Sequence, residues 1–147
     1  MCFTGNIHNN NLALSGSYGT LQSPQDPGSS CDWLITVPEG TIVKLSFDRF
    51  ELKPSFGTIC TVNYVEILDG KSSYSESKGK FCGYTKPEDI RSSGPYMLVR
   101  FRADLSTGKY YRGFNATFTA EDKPSTRKLK KLIIFYDFSI NYSFSKR

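Results

Sequence analysis

Four cysteines, Cys2, Cys31, Cys60 and Cys82, constrain this 147-residue chain more than any other feature. An even number at wide spacing in a chain of this size reads as a disulfide framework. Zinc is a poor alternative, because no C-x-x-C pair occurs and the only histidine is His8. Four cysteines allow three pairings, and spacing does not choose among them. Disulfides persist in oxidising compartments, so the chain is expected to be secreted or to face outward. No signal peptide is visible, since Cys2 follows Met1 directly and no apolar stretch comes next. The chain is therefore expected to be a fragment of a longer precursor. No run approaches the roughly 20 apolar residues that a membrane-spanning helix needs.

Between the cysteines the dominant pattern is alternation, the signature of a half-buried strand. Val43, Leu45 and Phe47 point one way, with Lys44, Ser46 and Asp48 opposite. Met97, Val99, Phe101 and Ala103 repeat the pattern, with Arg100 and Arg102 on the other face, and Phe114, Ala116 and Phe118 repeat it again. Shorter strands are expected at Tyr18–Leu21, Trp33–Val37 and Tyr64–Leu68. Turns fall at residues 22–30, at Pro38-Glu39-Gly40, through residues 51–60 and at Asp69-Gly70. Residues 71–80 are polar and read as mobile, and no amphipathic helical stretch of useful length is found. Short strands at regular spacing argue for an all-β, two-sheet antiparallel sandwich over residues 1–122.

The net charge of +5 does not describe that sandwich. Residues 1–122 hold 12 Lys and Arg against 13 Asp and Glu, whereas residues 123–147 hold seven against Asp137 alone. The surplus sits in a C-terminal extension, where a linker-like Lys123-Pro124-Ser125-Thr126 leads into the basic run Arg127–Lys131 and then LIIFYDFSINYSF. The extension lies outside the domain, and Leu132–Tyr136 is apolar and β-prone. Its sharper reading is an anchor for an anionic surface such as lipid or heparin. A near-neutral domain with no recognisable nucleic-acid fold excludes nucleic-acid binding.

An ordered set of short motifs carries more. Gly19-x-Leu21-x-Ser23-Pro24 is followed by Cys31-x-Trp33 and Val37-Pro38-x-Gly40, then by Phe47-x-x-Phe50-Glu51-Leu52. Cys60, Tyr64-Val65-Glu66-Ile67-x-Asp69-Gly70, Phe81-Cys82-Gly83, Ser92-Ser93-Gly94, Phe101-x-x-Asp104 and Gly113-Phe114 complete the series. In this order they resemble the CUB family over residues 2 to about 120. The stretch from Lys80 to Asp104 is most similar to CUB domains of neuropilin-like and tolloid-like proteins. The resemblance implies a jelly-roll-like sandwich and the bridges Cys2–Cys31 and Cys60–Cys82.

Many members of the family bind one calcium ion at one end of the sandwich. By resemblance, Glu51 and Asp104 match two of the ligand carboxylates, and Ser106 falls at a supporting position. Asn63 stands where the family pattern has an Asp, and the early loop Pro27–Cys31 lacks the Tyr often found there. Calcium takes six to eight oxygen ligands, and replacing one of three charged ligands with a neutral amide weakens the site. The expectation is that Glu51, Asn63, Asp104 and Ser106 converge on one low-affinity calcium ion. By the same resemblance, Glu51 and Asp104 would receive a Lys or Arg of an extracellular protein ligand. The alternative is a structural spacer in a modular ectodomain, without calcium.

Asn115-Ala116-Thr117 and Asn141-Tyr142-Ser143 are N-glycosylation sequons. Catalysis has little support: a Ser/His/Asp triad would depend on His8 in an Asn-rich terminus, no cysteine is spare, and no phosphate-binding loop precedes a helix. Glu88-Asp89 reads as a solvated loop. Arg100 and Arg102 are expected to form a solvated sheet face, or to pair with Glu66 or with a partner's acidic group.

Overall fold

Nine strands and one helix make up a computed structural model that describes residues 11–54, 59–105 and 111–145. The strands are β1 (Asn11–Ser15), β2 (Tyr18–Gln22), β3 (Ser30–Thr36), β4 (Thr41–Glu51), β5 (Tyr64–Asp69), β6 (Glu76–Phe81), β7 (Ile90–Arg91), β8 (Tyr96–Arg102) and β9 (Gly113–Asp122). They form a five-stranded sheet in the order β1-β3-β8-β5-β6 and a four-stranded sheet in the order β2-β9-β4-β7. All pairs are antiparallel except β1 with β3, which is parallel.

The alternation in the sequence puts the core where it is expected. Val43, Leu45 and Phe47 of β4, Met97, Val99 and Phe101 of β8, and Phe114, Ala116 and Phe118 of β9 are all buried. Phe47 and Phe50 are three apart, a spacing that would send them to opposite faces of a regular strand. A bulge between Phe47 and Arg49 resets the register, so both rings reach the core and meet edge to face at 5.3 Å.

Several motif residues have a packing reason. A Cβ on Gly19 would lie 2.4 Å from the ring of Phe118, its cross-strand neighbour, so only glycine admits that ring. Gly113 has φ +71°, and a Cβ there would collide with Ser23. Buried Ser23 in turn accepts the N–H of Phe114 at 2.8 Å. Buried Ser92 accepts the N–H of Val43 at 2.8 Å and donates to the Gly94 carbonyl at 2.6 Å.

Polar pairs fasten the sheet edges. Arg91 grips Glu121 through two hydrogen bonds of 2.8 and 3.3 Å, and this holds the Glu121 carboxyl below its usual range. Burial pushes the Asp69 carboxyl up, but Ser93, whose N–H donates at 2.8 Å, and Lys78 at 3.3 Å outweigh it and hold it low.

Four expectations need correction. The Asn-rich start contains β1, held by its ladder to β3, with Leu12 buried. Residues 71–80 include most of β6, an edge strand whose polar, lysine-bearing sequence suits an edge and gives no burial signal. Arg100 and Arg102 pair with Asp32 of β3, at 3.5 and 2.7 Å, rather than with Glu66. Finally, Pro124–Ser145 is a helix, α1, not a linker followed by a β-prone segment. Pro124 stands at the first helical position, where a missing N–H costs nothing, and the Leu/Lys/Arg run that follows has high helix propensity. Leu132–Tyr136 on α1 are 58–70% exposed, so the sandwich does not cover them. Among the described residues no helix is long and apolar enough to cross a membrane.

A candidate binding end of the sandwich

Strand direction collects the residues singled out in the sequence at one end. β4 and β8 run towards this end and finish at Glu51 and Arg102, while β5 and β9 leave it from Tyr64 and Gly113. The end is laced by backbone hydrogen bonds, from Gly28 N–H to the Asp104 carbonyl, from Ala103 N–H to the Ser29 carbonyl and from Leu52 N–H to the Gly83 carbonyl, each 2.9 Å. A bridge between Cys60 and Cys82 ties the β4–β5 loop to the residue after β6. Cys31 is also disulfide-bonded, and the Cys2 half of the expected pairing lies outside the described residues.

Asn63 and Asp104 meet directly. Asn63 is 3% exposed, and its Oδ1 accepts the backbone N–H of Asp104 at 3.0 Å. Its Nδ2 donates back to Asp104 Oδ1 at 3.4 Å. Glu51 sits at the same end but turns to Arg112, whose Nε is 4.0 Å from its carboxylate. Ser106 lies outside the described residues.

These donors do not fit calcium. The ion needs a shell of oxygens, yet the carboxamide of Asn63 spends its one oxygen on a backbone N–H and turns an N–H donor towards the Asp104 carboxylate. Among the described residues no three Asp, Glu, His or Cys side chains converge on a common point.

Sequence reasoning passed over part of this surface. Tyr84 and Tyr111 face each other with ring centroids 6.1 Å apart, and a hydrogen bond shared with Tyr111 raises the Tyr84 phenol above its ordinary value. Arg49 Nη2 donates to the Arg112 carbonyl at 3.0 Å. Tyrosine and arginine beside a carboxylate form a surface of the composition that protein interfaces favour. No strand periodicity marks Tyr84, Tyr111 or Arg112, because all three lie in connections. Beneath this end a cavity of about 20 Å³ between Leu52, Asn63 and Phe101 has room for one water and no organic ligand. Of the two sequons, Asn115 is half-buried on β9 and accepts from Arg49 at 3.4 Å, while Asn141 is exposed on α1.

Comparison with known proteins agrees with this architecture. The CUB domain family profile matches residues 9–118. Cubilin of Rattus norvegicus is 44% identical over 100 residues, covering 67% of this chain and 3% of its own length. The bone morphogenetic protein 1 homolog of Strongylocentrotus purpuratus is 43% identical over 108 residues, 70% of this chain and 16% of its own. This chain therefore spans only a small part of these relatives. Among solved structures, the CUB1-EGF-CUB2 domains of rat MASP-1 superpose with a TM-score of 0.66 at 31% identity, over 80% of this chain and 45% of that one. The MASP-1 CUB2 domain bound to Ca2+ superposes with a TM-score of 0.63 at 29% identity, over 74% of this chain and 96% of that one.

Proposed function

The chain belongs to the CUB domain family, and we propose that it is an extracellular, non-catalytic protein-binding module that uses the end carrying Glu51, Tyr84, Tyr111 and Arg112. Residues 1–122 are the binding unit in this reading, and 123–147 an extension to it. The observation that carries the proposal is the Glu51–Arg112 contact. Glu51 is 31% exposed and receives a guanidinium at 4.0 Å from a side chain that is itself 76% exposed. A partner's Lys or Arg would enter the same position, with Arg112 swinging out into solvent. Exposed pairs of this kind hold on weakly, so displacing the intramolecular cation costs little. Tyr84 and Tyr111 flank the spot with rigid aromatic area.

A screen of the secreted full chain against an array of extracellular domains tests the reading. A ligand of this end should lose about tenfold in affinity with Glu51→Gln, the size expected for a charge-assisted hydrogen bond. It should bind Arg112→Ala at least as well as wild type. Glu39→Gln, in the turn at the opposite end, should change nothing. Ligands that bind Glu51→Gln as tightly as wild type would leave the spacer role as the better account.

A glycan on Asn115 belongs to the same proposal, since an extracellular chain passes the glycosylation machinery. Peptide mapping of protein from secreting cells should find Asn115 modified and Asn115→Gln bare at that site. An unmodified Asn115 in well-secreted protein would remove the glycan from the scheme.

A further inference from the structure

A solved relative bound to calcium shares this fold, and in this chain residue 63 turns a hydrogen-bond donor towards Asp104. We propose that Asn63 is a built-in substitute for the metal: its carboxamide clasps the β4–β5 loop to the β8–β9 loop without calcium, and Asn63→Asp converts the clasp into a cation site. This inference stands independently of which partner, if any, binds the surface.

Two hydrogen bonds carry the argument. The backbone N–H of Asp104 requires an acceptor from residue 63, and Oδ1 of Asn63 supplies it at 3.0 Å. A carboxamide has one oxygen and one nitrogen, so satisfying that N–H forces Nδ2 to face the Asp104 carboxylate, which it does at 3.4 Å. Rotating the amide by a half-turn would set N–H against N–H at a side chain only 3% exposed. Both donors would then be left without an acceptor there, a costly arrangement in a buried site. The orientation is therefore fixed by the backbone, and the group presented towards Asp104 is a hydrogen-bond donor. A donor does there in part what a cation does, which is to face a carboxylate with the positive end of a dipole. A calcium ion in the same place would meet an N–H from residue 63 where it needs an oxygen.

The conservative change reverses each statement. A carboxylate at position 63 keeps an oxygen for the Asp104 N–H, but its second oxygen then faces the Asp104 carboxylate at close range. Like charges repel at that distance and each disfavours ionisation of the other. A divalent cation relieves the repulsion by taking an oxygen from each carboxylate.

Thermal unfolding and calorimetry of the full oxidised chain test this with calcium alone as the probe. Wild type should unfold at the same temperature in chelator and in about 10 mM calcium, well above the roughly 10⁻⁴–10⁻³ M affinities of extracellular modules. It should also give no binding heat. Asn63→Asp should unfold at lower temperature than wild type in chelator and gain several degrees in calcium, about 5 °C at ten times its dissociation constant. Asn63→Ala, which removes the clasp and adds no charge, should lose stability and stay indifferent to calcium. A calcium-dependent rise or binding heat in wild type overturns the proposal. So does an Asn63→Asp protein as stable as wild type in chelator and silent to calcium. If Asn63→Asp does not fold, wild type and Asn63→Ala still decide, because either one responding to calcium contradicts a metal-free clasp.

Discussion

Phe114→Ala should cost about 4 kcal/mol of stability, among the largest effects expected from a single truncation in this domain. The ring is fully buried and touches three others edge to face. Trp33 lies at 5.8 Å, Phe47 at 5.6 Å and Phe101 at 5.7 Å. Trp33 and Phe101 belong to the five-stranded sheet, while Phe47 and Phe114 belong to the four-stranded one. The ring is thus the piece that both sheets share, and neither can close over the void it would leave. Its backbone is pinned as well, since Ser23 holds the Phe114 N–H and exchanges a second bond with its carbonyl. The transfer and cavity contributions therefore add with little relaxation, and each lost edge-to-face contact adds further. Urea unfolding and thermal melting, both followed by the fluorescence of Trp33, the only tryptophan, are the natural measurements. The midpoint temperature should fall by roughly 10–20 °C. Phe114→Leu, which keeps most of the volume, should cost much less. A loss below about 1 kcal/mol in the alanine protein would mean that the sheets are fastened mainly elsewhere.

What the sequence revealed tracks how strongly burial alternates along each strand. Val43, Leu45 and Phe47 in β4 and Phe114, Ala116 and Phe118 in β9 have one wet face and one dry face, so period-2 reading finds them. β6, with Glu76, Ser77, Lys78 and Lys80, has no dry face to signal. Its existence depends on the backbone ladder offered by β5, a non-local fact. β1 has only Leu12 and Leu14 to mark it. Past Lys131 the polar Asp137, Ser139 and Asn141 of α1 are scattered among its apolar residues, so it lacks the clear stripe by which an amphipathic helix is recognised. The binding end divides the same way. Glu51, Asn63 and Asp104 were visible through motif order. That Asn63 turns its nitrogen towards Asp104 was not, because a backbone N–H some forty residues away sets its orientation. Tyr84 and Tyr111 lie in separate connections, and only the closed fold brings their rings together.

Replacing both halves of the Cys60–Cys82 bridge with serine should cost about 3 kcal/mol in the chain-entropy account, given the 22-residue separation that the bridge closes. Two features make the expectation more specific. A cross-link acts mainly on the unfolded chain, so its removal should enlarge the surface exposed on unfolding and raise the denaturant m-value. A lost native contact would lower the midpoint and leave m alone. The second feature is location. Asn63 lies three residues beyond Cys60, and Tyr84 lies two beyond Cys82. The bridge therefore connects the loop that bears the Asn63 clasp to the segment that carries half of the tyrosine pair. Leu52 N–H bonds to the Gly83 carbonyl across the same gap at 2.9 Å. In the serine protein that backbone bond and the Asn63–Asp104 pair are left to hold the end together. Amide exchange at Leu52 and Asp104 should accelerate more than exchange in β9, where the ladder to β4 is untouched. Equal acceleration everywhere would show that the bridge stabilises the sandwich as a whole. Faster exchange confined to the binding end, together with a raised m-value, would show that the same covalent link limits the unfolded chain and keeps the Glu51 surface in one shape.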